Sequence, residues 1–152
     1  MRKKIKRIVL IAVGFFILLQ CWQPARNQDN GQAPTVHFTQ VYNVPPEVQN
    51  ILQTSCYDCH SNNTKYPWYS WVQPARMLME NDIKKGKSNL NFSEWGNYST
   101  RKQANKLSRI TKQIKQGAMP LSSYTLIHQN ARLSESQKQE VITWINSIST
   151  DE

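Results

Sequence analysis

The sequence predicts an all-α fold, and two observations support this prediction. Between residues 45 and 148, no segment alternates apolar and polar residues as a half-buried strand does. In three segments, apolar residues instead recur three or four positions apart, which is the spacing of one face of a helix. At 152 residues, the chain has room for one domain and a tail. We therefore expect one small helical domain over residues 44–149.

The first 22 residues have the pattern of a signal or anchor segment with a hydrophobic helix. Five of the 19 Lys and Arg residues lie in the first seven positions, and residues 8–19 form an apolar run. This run is shorter than the roughly 20 residues of a spanning helix, and no small-residue cleavage site follows it. We expect an uncleaved inner-membrane anchor with its cationic end in the cytoplasm and the domain in the periplasm. A cleaved signal peptide and a lipoprotein acylated at Cys21 are the alternatives, although Gln20 is larger than the residue expected before an acylated cysteine.

Residues 23–43 are polar, rich in Asn and Gln, and show no apolar period. They predict a flexible tether between the membrane and the domain. His37 lies in this stretch, where we expect a solvated side chain.

Capping residues place the helices of the domain. Pro45 and Pro46 open a first helix that runs into Cys56, with an apolar face formed by Val48, Ile51 and Leu52. A short aromatic turn begins at Pro67, and a second helix is expected from Pro74 to Lys85, stopped by Gly86.

Two longer helices complete the domain. Ser99 precedes a helix with an apolar stripe of Ala104, Leu107, Ile110 and Ile114, which Gly117 ends. Its cations are expected to face solvent: Arg101, Lys102, Lys106, Arg109, Lys112 and Lys115. Ser134 and Gln137 form a capping box for the last helix, whose apolar residues are Val141, Ile142, Trp144, Ile145 and Ile148.

The segment Cys56-Tyr57-Asp58-Cys59-His60 carries the chemistry. Two thiols three positions apart can each add to one vinyl group of a haem, and the adjacent imidazole then binds the iron. A thioredoxin-like dithiol would need a βαβ context, and a zinc site would need a further Cys or His pair. The chain offers neither, so the spacing predicts one covalent c-type haem.

Met119 is the leading candidate for the second axial ligand of the iron. It follows Gly117 at the end of a predicted helix and precedes Pro120, and thioethers are common sixth ligands of c-type haems. His128 is the alternative ligand, and an open iron face is the third possibility. Aromatic residues are expected to wall the haem pocket, namely Tyr66, Trp68, Trp71 and Trp95.

The charge of the chain excludes one class of partner. The formal net charge is +9, but without the N-terminal cations 14 basic residues face 10 acidic ones. This excess is too mild to indicate nucleic-acid binding. The cations of the predicted helix after Ser99 are a solvated face or a docking surface for an acidic redox partner.

These motifs resemble the haem-binding domain family of small bacterial c-type cytochrome-like proteins, which is often found in Bacteroidota. The resemblance implies a cytochrome c-like helical domain around one haem, with Cys56 and Cys59 as thioether sites and His60 as the proximal ligand. His128 lies in one of the matching segments, so the resemblance keeps it as a candidate ligand. The matching segments are residues 56–61, 66–69, 90–95, 119–120, 124–128 and 133–134.

A haem with both axial positions filled favours one-electron transfer, in which only an electron moves. We therefore expect an electron carrier more than an enzyme. A haem-based sensor of small ligands and a peroxidase-like enzyme are the alternatives, because both use an open iron face.

Overall fold

A computed structural model of the protein describes residues 1–29 and 35–150, so five residues of the predicted tether, 30–34, lie outside the described part. The described residues form helices joined by turns and loops and contain no strand, which confirms the predicted all-α class. Three 3-10 helices lie at Trp68–Trp71, Phe92–Asn97 and Gln129–Ala131. The α-helices are α1 (Arg2–Gln20), α2 (Phe38–Val41), α3 (Pro46–Ser55), α4 (Tyr57–His60), α5 (Ala75–Asn89), α6 (Thr100–Lys115), α7 (Ser122–Ile127) and α8 (Glu135–Thr150).

The apolar faces of α3, α6 and α8 form the core, as their spacing predicts. Val48, Leu107 and Val141 are each almost fully buried and belong to one cluster. The expectation for Ala104 is wrong, because this residue is exposed at the edge of α6. Gln103 is turned inward instead, and its amide donates hydrogen bonds to the carbonyl oxygens of residues 95 and 98.

A second layer of the core consists of aromatic rings and includes a residue from the predicted tether. Phe38 is 0% exposed, and its ring centroid lies 4.6 Å from that of Trp95 and 5.1 Å from that of Phe92. His37 caps α2, because its Nδ1 atom accepts a hydrogen bond from the backbone N–H of Thr39. The packed unit therefore starts before residue 44.

The described residues of the tether that precede this point are also docked. Arg76 donates hydrogen bonds to Gln23 Oε1 at 2.7 Å and to the Pro24 carbonyl oxygen. Just before the tether, the carbonyl oxygen of Trp22 accepts a hydrogen bond from the Gln73 side chain at 2.6 Å. Asn27 is bonded to several residues of the domain at once, namely Ser61, Thr64, Tyr66 and Lys87. The structure thus differs from the prediction of a flexible tether. The segment is held by hydrogen bonds of polar groups, and such bonds leave no apolar pattern in the sequence from which the docking could be predicted.

Gly86 does not end α5, as the sequence suggested, but lies inside it. A Cβ atom at this position would be 2.4 Å from the carbonyl oxygen of Cys59, so only glycine permits α5 to approach α4 this closely. The helix continues for one more turn to Asn89. This contact places α5 against the segment that carries the two cysteines.

The N-terminal helix α1 lies apart from the core and buries none of its residues. Among the described residues, no helix has both the length and the apolar composition needed to cross a membrane.

Candidate haem site

The turn that follows α3 brings the two cysteines and the histidine together. Cys56 ends α3, and its carbonyl oxygen accepts hydrogen bonds from the backbone N–H groups of Cys59 at 3.2 Å and His60 at 3.0 Å. The motif is therefore a single helical turn, which is the local geometry that its spacing predicts. Both cysteines are free thiols.

The imidazole of His60 is held in one tautomer. Its Nδ1 atom lies 3.0 Å from the Gly86 carbonyl oxygen and 3.1 Å from that of Leu90. Since a carbonyl oxygen only accepts, Nδ1 carries the proton and Nε2 keeps the lone pair that a metal requires. Burial lowers the pKa of His60, against the opposing effect of the two carbonyl bonds, and so favours the neutral ring.

Asp58, between the two cysteines, fixes the motif to the rest of the domain. Its carboxylate accepts hydrogen bonds from the Tyr124 hydroxyl at 2.7 Å and from the backbone N–H of Lys65 at 3.0 Å. The hydroxyl of Thr64 donates to its carbonyl oxygen at 2.6 Å. Burial and this carboxylate together raise the pKa of Tyr124, which remains a hydrogen-bond donor at neutral pH. The motif and helix α7 are thus connected directly.

One cavity of about 500 Å³ contains all the main predicted ligands. Cys56, Cys59, His60 and Met119 line it together. Gly117 helps to position Met119 at the cavity. Its positive φ of 65° ends α6 and turns the chain back toward the cavity. The volume is in the range of small-molecule and cofactor sites.

The surroundings of the thiols argue against a redox dithiol. Burial raises the pKa of Cys56 to about 12 and that of Cys59 to about 11, whereas a reactive dithiol needs a lowered value. The zinc alternative also lacks support, since no group of three or more His, Cys, Asp or Glu side chains in the described ranges is arranged to hold a metal ion. Two adjacent thiols, an imidazole with a free Nε2 and a thioether in one cavity fit a c-type haem.

Three cations at the cavity were not predicted as site residues. Lys85, Lys106 and Arg109 line it, although the sequence placed the last two on a solvated face of α6. Burial, with the neighbouring cations, lowers the pKa of Lys106. The sequence did contain a signal for the two cavity cations of α6. They belong to a second stripe of residues, spaced three or four positions apart beside the core stripe, which consists of Lys106, Arg109, Ile110 and Gln113.

The predicted aromatic wall lies elsewhere. Trp95 is 0% exposed inside the core, while Trp68 and Trp71 are 80% and 62% exposed on the surface. Tyr66 accepts a hydrogen bond from the Asn27 backbone N–H at 2.5 Å. None of these four side chains lines the cavity, although the 3-10 turn at Trp68–Trp71 contacts α5. The apolar part of the cavity wall consists mainly of aliphatic side chains, together with the ring of Phe92; the aliphatic residues are Leu90, Ile110, Ile114, Leu121 and Leu133.

His128 also lies outside the cavity lining. Its Nε2 atom is 2.6 Å from the Tyr69 hydroxyl, and its ring stacks on that of Tyr124 at a centroid distance of 4.4 Å. Between the two candidates for the second axial ligand, the structure brings Met119 to the cysteines and places His128 behind Tyr124.

The fold and the cavity define a small helical protein with a site for an apolar cofactor. Comparison with known families identifies the class. The family model of the haem-binding domain matches residues 14–147, so the chain belongs to this family. Membership of this family makes haem the cofactor of the protein.

One curated relative is cytochrome c peroxidase Ccp of Escherichia coli (strain K12), with 26% identity over 101 residues. The match covers 62% of this chain but only 21% of the peroxidase, so the chain spans about a fifth of that protein's length. No solved structure matches the chain.

Proposed function

We propose that this protein transfers single electrons through one covalently bound haem c. The observation that supports this proposal is that Cys56, Cys59, His60 and Met119 line the same cavity. When bound, a haem with an imidazole and a thioether ligand cycles between ferric and ferrous iron without exchanging a ligand.

The chain's own residues have separate tasks in this function. The two thiols would be the attachment points, and the carbonyl oxygens of Gly86 and Leu90 hold the His60 ring so that its Nε2 would be available to bind the iron. The aliphatic walls exclude water, which favours a stable potential. Lys85, Lys106 and Arg109 supply charge complementary to the two carboxylates of a haem.

The location and the redox partner are part of the same proposal. Helix α1 joins five cations to an apolar run, and we assign it to the inner membrane, with the haem domain on the periplasmic side. The exposed cations of α6, including Arg101, Lys102 and Lys112, form a basic surface suited to an acidic redox protein.

The experiment uses the full chain matured with c-haem machinery, with oxidised and reduced optical spectra. Covalent haem is expected, with the weak far-red band that ferric iron shows when a thioether is bound. Met119→Ala should abolish this band, whereas Met77→Ala, an exposed methionine of α5 outside the cavity lining, and His128→Ala should retain it. Absence of covalent haem refutes the proposal, and a high-spin wild-type spectrum refutes the Met119 ligation.

Peroxide reduction is the second candidate, and the similarity to cytochrome c peroxidase Ccp favours it. It needs an open iron face and a distal acid or base, and the histidine that could take this role, His128, lies outside the cavity lining. Rapid turnover of hydrogen peroxide by the haem-loaded wild type, with a readily formed carbon monoxide complex, would support this candidate over electron transfer.

A further inference from the structure

A surface at the beginning of α5 is unusually apolar. Its five members are large hydrophobic side chains that are each at least 40% exposed, although they lie within eleven positions of the sequence. We call this surface the Trp face; it consists of Trp68, Trp71, Val72, Met77 and Leu78. Single exposed apolar residues are ordinary, but five of them in and next to two elements that pack together, the Trp68–Trp71 turn and α5, indicate an interaction site.

The tryptophans of this face have no packing reason to be there. Trp68 has its ring 6.0 Å from that of Tyr69 and is otherwise open to solvent, at 80% exposed. Trp71 is covered on one side by the guanidinium of Arg26, at 3.6 Å from the ring centroid. Exposed indoles beside a cation are suited to a boundary between an apolar and an aqueous phase.

Hydrogen bonds fix the end of α1 beside the Trp face. The Gln20 Oε1 atom accepts from the backbone N–H of Gln73 at 2.9 Å, and the Gln73 side chain donates to the Trp22 carbonyl oxygen at 2.6 Å. Gln73 is 2% exposed and directly follows Val72 in the chain. The end of α1 is therefore attached to the segment that carries the Trp face, so a bilayer around α1 is within reach of this face.

The apolar residues of α1 indicate what that cover is. Ile8, Val9, Leu10 and Ile11 are consecutive and all exposed, so they point to every side of the helix. A partner protein or a second copy offers a groove that covers one face of a helix. A helix that is apolar all round needs an apolar surrounding on all sides, which is what lipid provides.

We propose that the Trp face is a lipid-binding surface that rests on the same bilayer as α1, with Trp68 and Trp71 at the level of the headgroups. This inference depends on the assignment of α1 to the membrane. It adds that the haem domain does not hang freely from its anchor but lies on the membrane in a fixed orientation.

The test uses the haem-loaded full chain in vesicles of phosphatidylethanolamine and phosphatidylglycerol. The vesicles contain a phospholipid with a photoactivatable diazirine near its headgroup, and adducts are located by mass spectrometry. We expect adducts in α1, in the peptide containing Trp68 and Trp71, and in the peptide containing Met77 and Leu78. The peptide of α8, whose Trp144 is partly buried against the core cluster, is the reference for background labelling.

A double variant tests whether the tryptophans hold this face on the lipid. Trp68→Ser with Trp71→Ser should reduce the adducts at Met77 and Leu78 several-fold while labelling of α1 is unchanged. Val41→Ser, an exposed apolar residue of α2, is the matched control and should change neither.

The outcomes separate the inference from the function on which it depends. Adducts in α1 with only background labelling of the Trp face overturn the inference and leave the membrane anchor intact. Background labelling of both overturns the inference together with the assignment of α1 to the membrane. The optical spectrum of the same sample reports haem attachment independently of either result.

Discussion

The approach of α5 to α4 gives the sharpest prediction, which is the effect of Gly86→Ala. The added Cβ would lie 2.4 Å from the Cys59 carbonyl oxygen, 3.1 Å from its carbon and 3.2 Å from the Cys59 Cβ. An ordinary contact needs about 1 Å more than the shortest of these distances. Two of the three contacting atoms belong to the backbone, so the clash is relieved only by moving one helix.

Three effects determine the magnitude. Alanine gains about 1 kcal/mol over glycine inside a helix. Overpacking costs about 1–3 kcal/mol, and the upper end applies because backbone must shift. The shift also strains the hydrogen bond from His60 Nδ1 to the Gly86 carbonyl oxygen, at about 1 kcal/mol. The expected net loss in the free energy of unfolding is about 2–3 kcal/mol, or roughly 5–10 °C in Tm for a chain of this size.

Urea unfolding of the haem-loaded protein, followed by circular dichroism, measures the loss. Lys84→Gly and Lys84→Ala form the matched control pair, since Lys84 is exposed on the same helix and the pair gives the glycine–alanine difference without a clash. If Gly86→Ala is as stable as the wild type, or gains what the control pair gains, the close approach of α5 to Cys59 is not the reason for a glycine at this position.

Five further substitutions test other parts of the structure by the same unfolding measurement. Tyr124→Phe removes the hydrogen bond to Asp58 and should cost about 1–2 kcal/mol; unchanged stability would show that this bond does not stabilise the fold. Gly117→Ala should cost about 1–2 kcal/mol from its positive φ alone, because a Cβ there meets nothing within 4 Å; equal stability would show that the turn has another conformation. Trp95→Ala should cost about 3–5 kcal/mol and Trp68→Ala less than about 0.5 kcal/mol, and a reversed order would contradict their burial. Asn27→Ala should cost about 1–3 kcal/mol, whereas unchanged stability would support the prediction of a flexible tether.

The helices with clear apolar stripes could be predicted from the sequence. The residues Val48, Ile51 and Leu52 of α3 are buried as their spacing indicates, and the capping box of Ser134 and Gln137 begins α8 with both hydrogen bonds formed. These signals are local, because the period of a helix and the partner of a cap lie within a few positions of each other. The cysteine motif is local in the same sense.

The features that were missed depend on contacts between distant segments. Gly86 has the same sequence signal whether it ends a helix or permits another helix to approach, and only the position of Cys59 distinguishes the two. The segment around Asn27 is polar like a linker, yet its partners are more than thirty positions away. The many aromatic residues also suggested that tryptophans wall the cavity. Whether a tryptophan lies near the cysteines or at the surface depends on how the chain packs, which composition does not show.

The geometry of the candidate site is set by the protein itself. Two connections join separate elements to the cysteine motif: Tyr124 binds Asp58 from α7, and the carbonyl oxygens of Gly86 and Leu90 bind His60 from α5 and the residue that follows it. Met119 lies between α6 and α7, so the first connection limits its distance from the motif as well. Because these bonds use side chains and backbone that a haem does not need as ligands, they hold the imidazole and the Met119 loop in place without the cofactor. Such preorganisation would lower the reorganisation that accompanies a change of iron charge, which suits the one-electron transfer proposed for this protein.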